Sequence, residues 1–351
     1  MLDGTLGVIF LSHPRLTFFC ELESEPLQAL INEQILADLS ALQAGLSLAI
    51  LDFNPARVKI VRRLNKAGIP VIAWLLLPKD QGSYFNMRNA PMALSFYKEF
   101  RTWTEENGLL WAGIGLDIEP DLQDFSELSN RRWHVLPKLF RRFMERKKLQ
   151  EARALYLAMV NKIHSDGYLV ESYQLPIIAD ERKAGSTLIQ RIYGLVDIPV
   201  DREVWMLYTS FTRPKGSGLL ASYAPEAQAI ALGVTGGGVD AGVELPPPLT
   251  WEEFSRDLRL AWNWCEDLYI FSLEGCSQQG FLEQLKSFVW DQPILLPEWS
   301  TNQVNSLRWT LRIVLWASAH FTAILVFLMG VLLMVKGYYH FFKKRFRFPK
   351  R

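Results

Sequence analysis

Eight short apolar runs constrain this chain more than any other feature of its sequence. They fall at residues 16–22, 46–52, 69–77, 111–120, 168–174, 203–209, 229–235 and 267–273. Each has the length of a strand and is apolar enough to be buried on both faces, as in a parallel sheet covered by helices. Helical stretches lie between them, at 25–42, 90–107, 131–164 and 279–290 among others. One opens at Asn54-Pro55, a cap followed by a first-turn proline, and another at the capping box Thr250-Trp-Glu-Glu253. This alternation predicts an α/β fold, a (β/α)8 TIM barrel over residues 1–292. An open doubly wound sheet alternates in the same way, but no Gly-x-Gly-x-x-Gly follows the first run.

The C-terminus is of a different kind. Residues 313–335 contain no Lys, Arg, Asp or Glu, enough helix to cross a bilayer core of about 30 Å. Trp309, Trp316, Tyr338 and Tyr339 stand near its ends, where amphipathic rings favour the membrane interface. Residues 343–351 then carry six positive charges and no negative one. The expected plan is a linker at 293–308, a single transmembrane helix at 309–340 and a basic tail at 341–351. The excess of positive charge places that tail in the cytoplasm. The side occupied by the barrel stays open, because no basic residue precedes the apolar patch at 6–11 as a secretory signal would require. Either the start lies upstream, or the protein inserts by its tail and keeps the barrel cytoplasmic.

Several function classes are disfavoured. The three cysteines, Cys20, Cys265 and Cys276, have neither framework nor metal-ligand spacing, and the five histidines are scattered singly. Neither a metal nor a cofactor is expected. No basic stripe with interleaved aromatics runs through the first 300 residues, which argues against nucleic acid. The charges of 131–164 read as a solvated helix face. Gly236-Gly237-Gly238 reads as a tight turn rather than a phosphate cradle, since Asp240 would repel an anion.

In a barrel of this kind the active site lies at the C-terminal ends of the strands. There the sequence places Glu21 and Glu23, Asp52, Lys79 and Asp80, Asp117 and Glu119, Glu171 and Gln174, Tyr208 and Thr209, Thr235, and Glu274. Trp74 stands on the third run. Asp117 and Glu119 occupy alternate positions, so they face the same way with Cβ atoms roughly 6–7 Å apart. This acidic, aromatic mouth suits a neutral polar substrate such as a sugar chain. From these ends the candidate site is the acid pair Asp117 and Glu119, and the candidate substrate-binding residues are Glu274, Asp52, Glu21, Gln174 and Trp74.

The segment Ala112-Gly-Ile-Gly-Leu-Asp-Ile-Glu-Pro120 partly follows the pattern Asp-Gly-x-Asp-x-Asp-x-Glu. Together with Glu105-Glu-Asn-Gly108, residues 58–72 and Met206-Leu-Tyr208, it resembles the family 18 glycoside hydrolases, the chitinase-like enzymes, over residues 16–290. The resemblance implies hydrolysis of N-acetylglucosamine-containing glycans assisted by the substrate's own acetamido group. It makes Glu119 the general acid, Asp117 the partner of the acetamido group and Tyr208 its helper. Burial and a neighbouring carboxylate would both raise the pKa of Glu119. Ala112 and Gly115 depart from the pattern at its first and second Asp. Other readings remain open: a non-catalytic carbohydrate-binding barrel, a barrel that docks a partner, or a retaining glycosidase pairing Glu119 with Glu274.

Overall fold

The computed structural model describes residues 13–120, 141–237 and 246–345. The apolar patch at 6–11, the first part of the helical region at 131–164, Gly238, Asp240 and the end of the basic tail lie outside these residues. Strands β1 (Arg15–Cys20), β2 (Gly45–Ile50), β3 (Val71–Leu75) and β4 (Gly113–Asp117) form one half of a sheet. Strands β5 (Val170–Gln174), β6 (Arg202–Met206), β7 (Ala229–Gly233) and β8 (Asp267–Phe271) form the other. All neighbours pair in parallel, and β8 returns to β1 to close a barrel. The (β/α)8 expectation is met.

Helices wrap this sheet: α1 (Ser24–Leu30), α2 (Glu33–Ala41), α3 (Pro55–Lys66), α4 (Ala90–Asn107) and α5 (Arg146–Ser165). They continue with α6 (Ile177–Lys183), α7 (Leu188–Tyr193), α8 (Gly216–Tyr223) and α9 (Trp251–Trp262). The short α10 (Leu273–Gln278) and α11 (Phe281–Lys286) follow β8. The local chemistry explains two of the starts. Asn54 Oδ1 accepts from the Ala56 and Arg57 amides to open α3, and Thr250 and Glu253 form the capping box of α9.

The core divides in two because alternate strand residues face opposite ways. Phe19, Ala49, Trp74, Tyr173, Val204, Met206 and Tyr269 pack against one another inside the barrel. Leu46, Leu48, Ile114, Leu116 and Ile270 belong to the larger cluster shared with the helices. At the base of the interior, Glu171 accepts from Tyr269 Oη and from Arg202, at 2.7 and 3.0 Å. Glu171 was expected at the mouth; pointing inward three residues before the end of β5, it belongs to this basal plug instead. Midway up, Tyr173 crosses the interior to share a hydrogen bond with Ser47 Oγ at 2.6 Å. A Cβ at Gly115 would stand 2.3 Å from the Tyr173 hydroxyl, so β4 must carry glycine where the ring passes.

The C-terminal part departs from the expected plan. Residues 298–308 of the expected linker and 309–319 of the expected span form one helix, α12 (Glu298–Ala319), packed on the barrel. Its Arg308 is buried: Nε donates to Asp180 at 3.1 Å, Nη2 to Glu226 at 3.1 Å, and the guanidinium lies over the Tyr223 ring at 3.7 Å. Arg312 adds a second ion pair to Asp180 at 2.6 Å, and Leu315 is buried against Ile178, Ala184, Ile189 and Leu195. Gly218 of α8 lets the backbones close up, since a Cβ there would meet Ser300 at 2.5 Å. Past His320 runs α13 (Phe321–Arg345), whose stretch Phe321–Phe342 is long and apolar enough to cross a membrane, with none of its most apolar part buried by the rest of the chain.

Three variants check this packing. Gly115→Ala should lower stability by about 1–3 kcal/mol in urea unfolding, through collision with Tyr173. Arg308→Ala should cost about 3 kcal/mol, because it leaves buried Asp180 short of a partner. The exposed Trp309→Gln should move stability by less than about 0.5 kcal/mol.

Candidate active site at the barrel mouth

Parity along the strands decides what reaches the mouth. Phe19 faces inward, and so does Glu21; Trp74 is inward; Asp117 and Glu119 share the side of Gly115; Tyr208 follows Val204 and Met206. The loop after β3 completes the ring. Phe85 N–H donates to the Asp117 carbonyl at 2.8 Å, and Glu119 N–H donates to the Phe85 carbonyl at 3.1 Å. This short parallel bridge to Ile118 extends β4 by one step and brings Tyr84 to the acids. Two asparagines hold Tyr84 in place, since its carbonyl accepts from Asn86 Nδ2 and from Asn89 Nδ2, the latter at 2.8 Å.

Asp117 is buried. Trp74 Nε1 donates to its Oδ2 at 3.1 Å, while its Oδ1 has no hydrogen-bond partner among the described residues. Burial first, then the charges of Glu119 and Glu21, push its pKa well above the ordinary carboxylate range against the pull of the Trp74 N–H. Burial raises Glu119 to about 7. The Tyr84 and Tyr208 hydroxyls are raised by burial and then by the surrounding carboxylates. Glu119, Tyr84 and Tyr208 are only half-buried, so this edge of the cluster meets solvent. Among the described residues, no cation acts on Asp117, Glu119 or Tyr208. Rings form the wall: Trp74 and Phe271 are 6.4 Å apart, and Phe271 and Tyr208 5.9 Å.

The structure thus gathers Glu21, Trp74, Asp117, Glu119 and Tyr208, and adds Tyr84, which the sequence showed only as part of a loop. The other candidates lie elsewhere. Gln174 follows inward-facing Tyr173, so it points away from the interior, where its Nε2 donates to Ser172 Oγ at 2.8 Å. Asp52 binds Ser24 and Arg57, at 3.0 and 3.1 Å; burial opposes its charge, but Arg57 and the Asn54 amide hold its pKa low. Glu274 lies in α10, where Oε1 accepts from the Glu21 amide at 3.3 Å. Burial and then Glu274 raise the pKa of Cys20, which packs on the outer side of β1. Among the described residues, no group of three His, Cys, Asp or Glu could hold a metal. A separate groove of about 490 Å3 beside α4, lined by Asp52, Phe53, Phe96 and Glu99, does not include the acid pair.

No family model matches the chain, and no curated protein matches it. Solved structures of similar shape include the 3-keto-D-glucoside 4-epimerase of E. coli, at 13% identity and TM-score 0.42, covering 78% of this chain and 99% of that one. A xylose isomerase domain protein from Planctomyces limnophilus has 12% identity and TM-score 0.41, covering 79% and 96%. An L-ribulose 3-epimerase has 12% identity and TM-score 0.38, covering 89% and 98%. The resemblance to family 18 glycoside hydrolases, and the glycan hydrolysis it implied, are corrected on this finding: these barrels are sugar epimerases and a xylose isomerase domain protein. The geometry gives a physical reason as well. Tyr173 fills the space where the pattern's second Asp would stand, so Asp117 lacks the neighbour that the pattern supplies.

The raised pKa of Glu119 has a measurable consequence. Its folded value of about 7 exceeds the ordinary 4.5, so the native state holds a proton that the unfolded chain releases. Relative to Glu119→Gln, the wild-type chain should therefore lose stability as pH rises from about 4.5 to 7. The loss should be on the order of 3 kcal/mol and level off above that range, as read by urea unfolding at each pH.

Proposed function

We propose that the barrel is an enzyme that moves a proton on a small neutral polyhydroxylated substrate, a sugar or sugar-like polyol, in a reaction of the epimerisation or isomerisation type. The observation that carries this reading is a carboxyl raised to about 7, Glu119, beside the unpartnered Oδ1 of a still more strongly raised Asp117. A base is most effective when its pKa lies near the working pH. Ionised Glu119 takes a proton from the carbon next to a substrate carbonyl. The C–H electron pair moves into the carbonyl oxygen, which protonated Asp117 and the Tyr208 hydroxyl receive with hydrogen bonds. Return of a proton to the opposite face of the same carbon gives an epimer; return to the former carbonyl carbon, with the neighbouring hydroxyl proton passing to the former carbonyl oxygen, gives an isomer.

The surroundings support a neutral substrate. Carboxylates, phenols and the faces of Trp74 and Phe271 offer hydrogen bonds and apolar contact to a sugar ring, whereas a phosphate would meet the negative charge of the carboxylates.

The test is deuterium exchange from D2O into a panel of neutral aldoses and ketoses, followed by NMR with the full chain. Exchange should rise with pH through about 7, and Glu119→Gln should slow it by about 10²–10⁴-fold. Equal exchange by the wild type and the variant, or none with any sugar of the panel, overturns the reading.

A further inference from the structure

Helix α12 has two faces of different fate. Val304, Arg308, Leu311 and Leu315 follow one another at helical spacing and meet the barrel. Opposite them run Asn302, Trp309, Ile313 and Trp316, at intervals of seven, four and three residues, which places them on one stripe. All four are exposed, Trp309 at 66% and Trp316 at 50%. The stripe changes character along its length, from polar Asn302 and Ser306 to two tryptophans and an isoleucine. It does so towards α13, from which only His320 separates it. Val314, also exposed, widens the apolar end.

A soluble surface gains nothing from a pair of exposed indoles on one stripe, and contiguous apolar exposure of this kind marks a partner or a membrane. We propose that the last three turns of α12 lie in the headgroup region of a bilayer that α13 crosses, so that the barrel is seated on the membrane rather than tethered above it. Three observations commit the surface to lipid. The apolar stripe is continuous with a helix long and apolar enough to span, whose most apolar part the rest of the chain leaves bare. Trp is the side chain that favours the depth between headgroups and acyl chains. The opposite face is fixed to the barrel by the buried Arg308–Asp180 pair, so α12 cannot enter the hydrocarbon core itself. The crossing therefore starts at α13, later than the charge-free window of the sequence begins.

The proposal is tested on the full chain in phosphatidylcholine vesicles, with an environment-sensitive fluorophore on single introduced cysteines. Cys20, Cys265 and Cys276 are buried and leave the labelling selective. The variants are Asn302→Cys, Trp309→Cys, Ile313→Cys and Phe327→Cys, at exposed positions whose replacement leaves the barrel core untouched. Lipids brominated near the headgroup should quench the label at 309 and 313 and leave 302 unquenched, while lipids brominated deep in the chain should quench 327. An aqueous signal at 309 and 313 with quenching at 327 overturns the seat. An aqueous signal at 327 overturns the crossing on which the seat depends. Cross-linking of 309 to a second copy, in place of lipid quenching, assigns the stripe to self-association and overturns the proposal as well.

Discussion

Closing eight parallel strands into a ring leaves each inward side chain no exit except the two ends of the barrel. Every polar group on the inner parity must then be matched by a partner inside or reach one of those ends. The lower end is settled by pairing: Glu171 takes its hydrogen bonds from Tyr269 and Arg202, and Asp267 faces Arg15. The middle is settled by rings, with Phe19, Trp74 and Tyr173 in edge-to-face contact at 4.7–6.0 Å. What remains at the upper end is a group of acids among phenols, with the Trp74 indole N–H on Asp117. The unequal treatment of the two ends is what distinguishes the base of this barrel from its working face.

That same geometry sets the electrostatics. Three carboxyls converge from β1 and β4 with no described cation acting on the Asp117–Glu119 pair, so the shared space cannot hold full negative charge at neutral pH. Retaining a proton is the least costly response. Two carboxylates outside the mouth behave in the opposite way. Asp52 beside Arg57 and Glu253 beside Arg213 keep their charge, and Arg213 with the Thr250 amide holds Glu253 at about 2.

The eight strands were legible because each is too apolar to be anything but doubly buried, and their observed limits fall within about two residues of the expected ones at most ends. The same doubly buried character conceals which side of a strand faces inward. Gln174 was therefore placed at the mouth although Tyr173, next to it, is the inward residue. Asp117 and Glu119 escaped the ambiguity, because two acids on one face of an apolar strand have nowhere to go but its open end. Tyr84 was not legible, since its place depends on the Phe85–Ile118 bridge between segments far apart in sequence. Glu274 was misplaced because the chain turns into α10 directly after β8. The docked half of the C-terminal apolar segment was hidden for a related reason: from Trp309 to Ala319 an exposed apolar stripe and a barrel-facing stripe read alike in composition.

The buried Arg308 also governs how this protein can be divided. A stalk that joins a catalytic domain to a membrane can usually be clipped, releasing an active soluble form. Here the segment in the position of a stalk supplies a guanidinium to Asp180, Ser222 and Glu226, and so completes the outer layer over α6 and α8. A cut before Glu298 would remove part of the fold with the anchor, whereas one after Ala319 would spare it. The joint at His320, between the docked helix and α13, is therefore the first place at which a cut leaves the barrel whole.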